Sequence, residues 1–206
     1  MANTTDQDKK ERVMTAAWEI FARFGYQKAS MQDIATKADV SKSVLFKYFG
    51  SKENLYRVVF RIAADAITQA DAEAAADSTG QEDVFSLLRR RVDARMELFS
   101  RAPYIYQFSY AAAYDTDPLP RQLVLEEFAR RGVTGAETNS YVGIRRDVSQ
   151  QKAKQMIFWI SQGYLQDQLA RESFEPETLK QGYLEWVDTL EYLLKEKGED
   201  QQDGQS

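Results

Sequence analysis

Neither cysteine nor histidine occurs anywhere in the 206 residues. Without cysteine there is no disulfide and no thiolate chemistry, which fits an intracellular setting. Without histidine the commonest general base and metal ligand is missing, and the usual catalytic triads and zinc sites go with it. Long apolar runs are also lacking. The longest, residues 156–160, is far short of the roughly 20 residues that span a bilayer. The opening MANTTDQDKKER is polar and lacks the apolar stretch of a signal peptide. These absences predict a soluble, cytoplasmic protein with no metal, no cofactor and no membrane partner.

What remains is ordinary for a globular chain. Hydrophobic residues make up 43% and charged residues 29%, enough to bury a core in one large or two small domains. The net charge of −5 argues at first against a nucleic-acid partner, but the charge is uneven. Residues 1–61 carry 11 Lys and Arg against 7 Asp and Glu, a net +4; the remainder carries 16 against 25, a net −9. A basic head on an acidic body fits phosphate binding at one end.

The chain is organised around residues 30–52, SMQDIATKADVSKSVLFKYFGSK. Met31, Ile34, Ala35 and Ala38 follow the i, i+3, i+4, i+7 spacing of one helical face. Ser30 is positioned as N-cap, with Asp33 three residues on in a capping box. A second short helix is predicted over 42–49, capped by Ser41, with Leu45 and Phe49 inward. Between them Asp39 is a short polar residue that tolerates a left-handed backbone. Two short helices across a tight turn are the arrangement of a DNA-reading helix-turn-helix, although a plain structural hairpin has the same spacing.

A longer stretch separates these readings. Phe21, Phe24-Gly25-Tyr26, Ser30, Ile34-Ala35, Val40-Ser41, Leu45-Phe46, Tyr48-Phe49 and Ser51-Lys52-Glu53 stand without gaps in an order that resembles the N-terminal domain of TetR-family transcriptional repressors. The resemblance covers about a quarter of the chain. It implies that Ser30, Ser41, Lys42, Ser43, Phe46, Lys47, Tyr48 and Lys52 carry backbone and base contacts to double-stranded DNA. Chemistry agrees: lysine donates to guanine O6 and N7 or to phosphate, and serine hydroxyls donate to phosphate. Two positions depart from the family pattern. Phe46 stands where a tyrosine is usual, so a hydroxyl contact to phosphate gives way to an apolar one, such as a thymine methyl. Ser43 stands where glycine is frequent.

The remaining pattern predicts an all-α chain. A first helix over 9–24 carries a stripe of Val13, Ala16, Ala17, Ile20, Phe21 and Phe24, with Gly25 just past its end and residues 1–8 disordered. A long helix begins after Gly50 and reaches about residue 76. Further helices are predicted over 81–101, from Pro103, over 121–131, over 149–172 and over 176–196, with a loop at 132–148. The predicted organisation is a three-helix helix-turn-helix DNA-binding domain at 1–50, a helical effector-binding and dimerisation domain at 51–198, and a disordered tail at 199–206. Arg89-Arg90-Arg91 reads as a solvated face with carboxylate partners.

The helices over 149–172 and 176–196 show apolar surface on more than one side, which predicts a homodimer through a four-helix interface. Two readers then face a palindromic operator. The resemblance implies an inducer pocket in the body and release of DNA on binding. Met96, Phe99, Tyr104, Phe108, Trp159 and Tyr164 are the candidate contacts for a small, largely apolar inducer. Two other classes stay open from the residues alone: a helical dimeric scaffold without DNA binding, and a carboxylate-dependent enzyme using a pair such as Asp115 and Asp117.

Overall fold

The computed structural model describes residues 6–76, 82–130, 142–169 and 175–196. Among these are nine helices in chain order: α1 Asp6–Lys28, α2 Met31–Lys37, α3 Lys42–Phe49, α4 Lys52–Ala76, α5 Val84–Arg101, α6 Pro103–Tyr114, α7 Pro118–Arg130, α8 Gln150–Leu169 and α9 Pro176–Leu194. The described residues contain no strand; a single bridge pairs Ile144 with Lys195. The expected all-α class holds. The expected tail at 199–206, residues 1–5 and most of the expected loop lie outside the described residues.

The helices group into two compact units. The first comprises residues 1–68 and 101–132, the second residues 69–100 and 133–206.

In the first unit α1 packs on α2 and α6, and α2 on α3. Its core runs through Val13, Ala17, Phe21, Ile34, Leu45, Leu55, Tyr56, Val59 and Phe108, each 1% exposed or less. Tyr56 is the hub: its ring meets Phe21 at 4.7 Å, Tyr26 at 5.1 Å and Phe108 at 5.1 Å. Burial, with the Asp115 and Asp117 carboxylates nearby, pushes the Tyr56 hydroxyl well above its usual range. The Trp18 indole N–H donates to Val59 O at 2.9 Å, tying α1 to α4. Each large apolar side chain buried here contributes roughly 1.5–3 kcal/mol, while an exposed ion pair contributes at most about 1 kcal/mol. The aromatic core therefore holds the unit, and surface pairs such as Arg57–Glu126 trim it.

Several expectations change. The chain is helical from Asp6, so residues 6–8 open α1 instead of fraying. Helix α1 also continues past Gly25, which breaks it at φ 69°, ψ 175°; the helical path resumes to Lys28. Phe24, placed in the buried stripe by spacing, is 46% exposed. Helix α7 starts at Pro118 and not after Pro120. Proline suits a first turn whose N–H groups have no helical partner, and Asp117 Oδ1 accepts the Leu119 N–H at 2.9 Å.

In the second unit, Val84 and Phe85 of α5, Ile144, Ala153 and Ile157 of α8, and Val187, Leu190 and Leu194 of α9 form one buried cluster. The segment before α8 is stitched to the end of α9 by Arg145 N to Leu194 O at 2.8 Å and Glu196 N to Gly143 O at 3.0 Å. Helices α8 and α9 approach closely at Gly182. The Tyr164 hydroxyl donates to Thr178 O at 3.2 Å and lies 1.9 Å from where a Cβ on Gly182 would sit. The arginine run behaves as expected: Arg89 pairs with Asp188 and Glu191, and Arg90 with Glu82. Trp186 on α9 is 42% exposed.

Candidate nucleic-acid interface

Sequence places a two-helix reader at 31–49, and its local structure follows from its caps. Ser30 Oγ accepts the Asp33 N–H at 3.1 Å, the N-cap bond that starts α2, and donates to Asp33 Oδ2 at 2.6 Å. After α2, Asp39 takes φ 52°, the only positive φ of a non-glycine among the described residues. Arg12 Nη1 meets its carboxylate at 3.3 Å. The reversed peptide lets Val40 N reach Ala35 O at 3.0 Å, so the turn is closed by hydrogen bonds and needs no loop. Ser41 Oγ then accepts the Val44 N–H at 3.3 Å and shares a hydrogen with Ser43 Oγ at 2.8 Å.

Helix α3 sorts its residues by face. Leu45 and Phe49 are buried, while Ser41, Lys42, Ser43, Phe46 and Lys47 are exposed. Phe46 is 41% exposed, unusual for a phenylalanine, with Lys42 Nζ 5.9 Å from its ring centre. Ser41, Lys42, Ser43, Phe46 and Lys47 thus make one outward surface of cations, hydroxyls and an apolar ring. Such a surface offers donors for phosphate and guanine and a flat partner for a thymine methyl.

Tyr48 lies at the edge of that surface and is half-buried. Its hydroxyl donates to Asp6 Oδ1 at 2.5 Å, and Lys10 Nζ sits 5.4 Å from its ring centre. The shared hydrogen bond raises the Tyr48 hydroxyl and holds the Asp6 carboxyl below the usual aspartate range. The contact therefore persists at neutral pH and is lost as pH falls through the lowered aspartate value or rises through the raised tyrosine value. Neither Asp6 nor Lys10 was marked by sequence. They lie 42 and 38 positions from Tyr48, and only the early start of α1 brings them beside it.

Lys52 also differs from expectation. Its ammonium points to Tyr26 O at 2.9 Å, Ala29 O at 3.2 Å and Gln27 O at 3.4 Å, and it lies 4.4 Å from the Tyr26 ring centre.

The six residues expected around an inducer are drawn from both units. Phe108 is fully buried in the aromatic core of the first unit, and Tyr104 precedes it on α6. Met96 and Phe99 are buried in the second unit, where Trp159 is 64% exposed. Tyr164 lines an open groove of about 560 Å³ on α8 and α9, with Gln168, Glu177, Gln181, Gly182 and Trp186. The carboxylate pair weighed for catalysis serves the backbone. Asp115 accepts the N–H groups of Tyr26 at 3.0 Å and Asp117 at 2.9 Å, and Asp117 caps α7. No group of three or more acidic side chains able to hold a metal occurs among the described residues. No helix among them is long and apolar enough to cross a membrane.

Residues 13–59, which include the whole reader, match the family model described as bacterial regulatory proteins, tetR family. The HTH-type transcriptional activator FasR of Mycolicibacterium smegmatis is 31% identical over 111 residues, 54% of this chain and 49% of that protein. The HTH-type transcriptional repressor KstR of Mycobacterium tuberculosis is 23% identical over 168 residues, 78% of this chain and 75% of that protein. The chain thus spans about half of FasR and three quarters of KstR. A TetR family transcriptional regulator from Chloroflexus aurantiacus superposes with a TM-score of 0.65 at 17% identity, covering 94% of this chain and 96% of that one, a likeness of fold. These relatives are all named as transcriptional regulators. On the reader geometry and the domain match, residues 13–59 are a helix-turn-helix domain of the tetR family type, and the rest of the chain shares the fold of TetR family regulators.

Proposed function

We propose that this chain is a cytoplasmic homodimeric repressor that binds a palindromic operator through residues 1–50 and is released by a small inducer held in residues 51–198. The observation that carries the reading is the sorted face of α3, with Lys42, Ser43, Phe46 and Lys47 outward over buried Leu45 and Phe49. Ser41 and Ser30 add hydroxyls at two helix starts, and Tyr48 supplies a donor once its bond to Asp6 exchanges for phosphate.

A single reader of this size touches too little DNA for tight specific binding. Twofold symmetry supplies the second, with the two set about 34–36 Å apart, one helical turn, or a multiple of it. Support for pairing comes from α8 and α9. Phe158 is 54% exposed, Trp159 64%, Tyr192 80% and Leu193 48%, an apolar surface that water covers poorly. A four-helix contact between two copies buries it.

The inducer is proposed as a largely apolar molecule with one or two polar handles. Tyr164, the expected contact that also lines the groove, is where its mapping starts. Release requires only that the inducer prefer the state in which the readers no longer match the operator.

Duplexes from the promoter of the protein's own gene, compared with random duplexes across a salt series, test the reading. Preferred, salt-dependent binding by a species that sediments as a dimer is the expected result. Equal binding of both duplexes, or a monomer at micromolar concentration, overturns it.

A further inference from the structure

We infer that Lys52 is a positioning residue for the reader: its ammonium closes the α1–α2 joint, and it does not hold a phosphate. This inference rests on the DNA-binding reading, whose resemblance-based form puts Lys52 among the DNA contacts.

The geometry is that of a filled site. An ammonium has three N–H donors and no acceptor. Three carbonyl oxygens lie within reach of Lys52 Nζ, from Tyr26 at 2.9 Å, Ala29 at 3.2 Å and Gln27 at 3.4 Å. A fourth side is covered by the Tyr26 ring, 4.4 Å away. The carbonyls belong to the last turn of α1 and the joint after it, where a helix leaves oxygens without intrahelical partners. Ser30, the N-cap of α2, follows at once. Lys52 itself begins α4, two residues after the Gly50 cap of α3. One charge therefore bridges the entry of the reader to its exit.

Neighbouring contacts brace the same exit. Asn54 Nδ2 donates to Phe49 O at 2.9 Å, and Ser51 Oγ accepts the Asn54 N–H at 3.1 Å. Together they set the angle at which α3 leaves the unit. Turning Lys52 toward a phosphate would strip three carbonyls of their donor and uncover the Tyr26 ring.

The two roles predict different salt behaviour. Removing a lysine that holds a phosphate flattens the plot of log K against log salt by about one. Removing a positioning lysine lowers affinity at every salt concentration and leaves the slope unchanged. The expected result for Lys52→Met on the promoter duplex is about tenfold weaker binding at constant slope. Lys52→Arg keeps the charge but replaces a compact ammonium with a wide planar fork that three converging carbonyls do not fit. It is expected to bind as weakly as Lys52→Met, whereas a phosphate contact would be rescued. Hydrogen exchange of residues 27–35 in free protein supplies a readout without DNA, and both variants are expected to exchange faster there. A slope reduced by one in Lys52→Met, wild-type affinity in Lys52→Arg, or unchanged exchange in both overturns the inference. If wild-type protein prefers no duplex, the DNA-binding reading fails, while the exchange data still judge the joint.

Discussion

Replacing Lys42 and Lys47 together by alanine is expected to weaken binding to the promoter duplex by roughly two orders of magnitude. Both side chains are exposed on α3 and flank Phe46 on the outward face. The salt plot separates their roles. If both reach phosphates, its slope flattens by about two; if one reads a guanine edge, it flattens by about one and discrimination between duplexes falls. The melting temperature should stay put, since neither residue contributes to the buried core. An unchanged affinity would remove α3 as the reading helix, whatever the family match implies.

Gly25→Ala is expected to destabilise the first unit without removing any buried side chain. At φ 69°, ψ 175° the residue occupies a region essentially open only to glycine, and forcing a side chain there costs roughly 1–3 kcal/mol. The new Cβ would also lie 3.3 Å from Asp115 Oδ2, the atom that accepts the Tyr26 N–H. For a chain of this size the melting temperature should fall by about 5 °C. Operator affinity should fall with it, because Tyr26 supplies both a carbonyl and a ring to Lys52. A melting curve identical to wild type would show that the break in α1 is not required.

These two glycine and lysine cases show where sequence reading succeeds. The reader was legible because its signals are local: Ser30 and Ser41 sit at caps, Asp39 at the turn, and Leu45 and Phe49 four residues apart on one face. The long run of α4 to residue 76 and the start of α9 at Pro176 were legible for the same reason. Gly25 was seen as a helix end, yet whether the chain stops there or bends depends on Asp115, 90 residues on, accepting the next N–H. Lys52 was assigned by position in a motif, and nothing within five residues reveals the three carbonyls that hold it. Asp6 and Lys10 were invisible because the partner, Tyr48, is far along the chain. Phe24 obeyed helical spacing but not burial, since spacing names a face without saying what covers it.

The three tryptophans divide in a useful way. Trp18 has its indole N–H fixed to a carbonyl inside the first unit, while Trp159 on α8 is 64% exposed and Trp186 on α9 42%. The protein thus carries its own optical gauge. If two copies pair as proposed, dilution that separates them should leave the Trp18 emission constant and shift that of Trp159 to longer wavelength, so fluorescence alone, without a label, would report the strength of self-association.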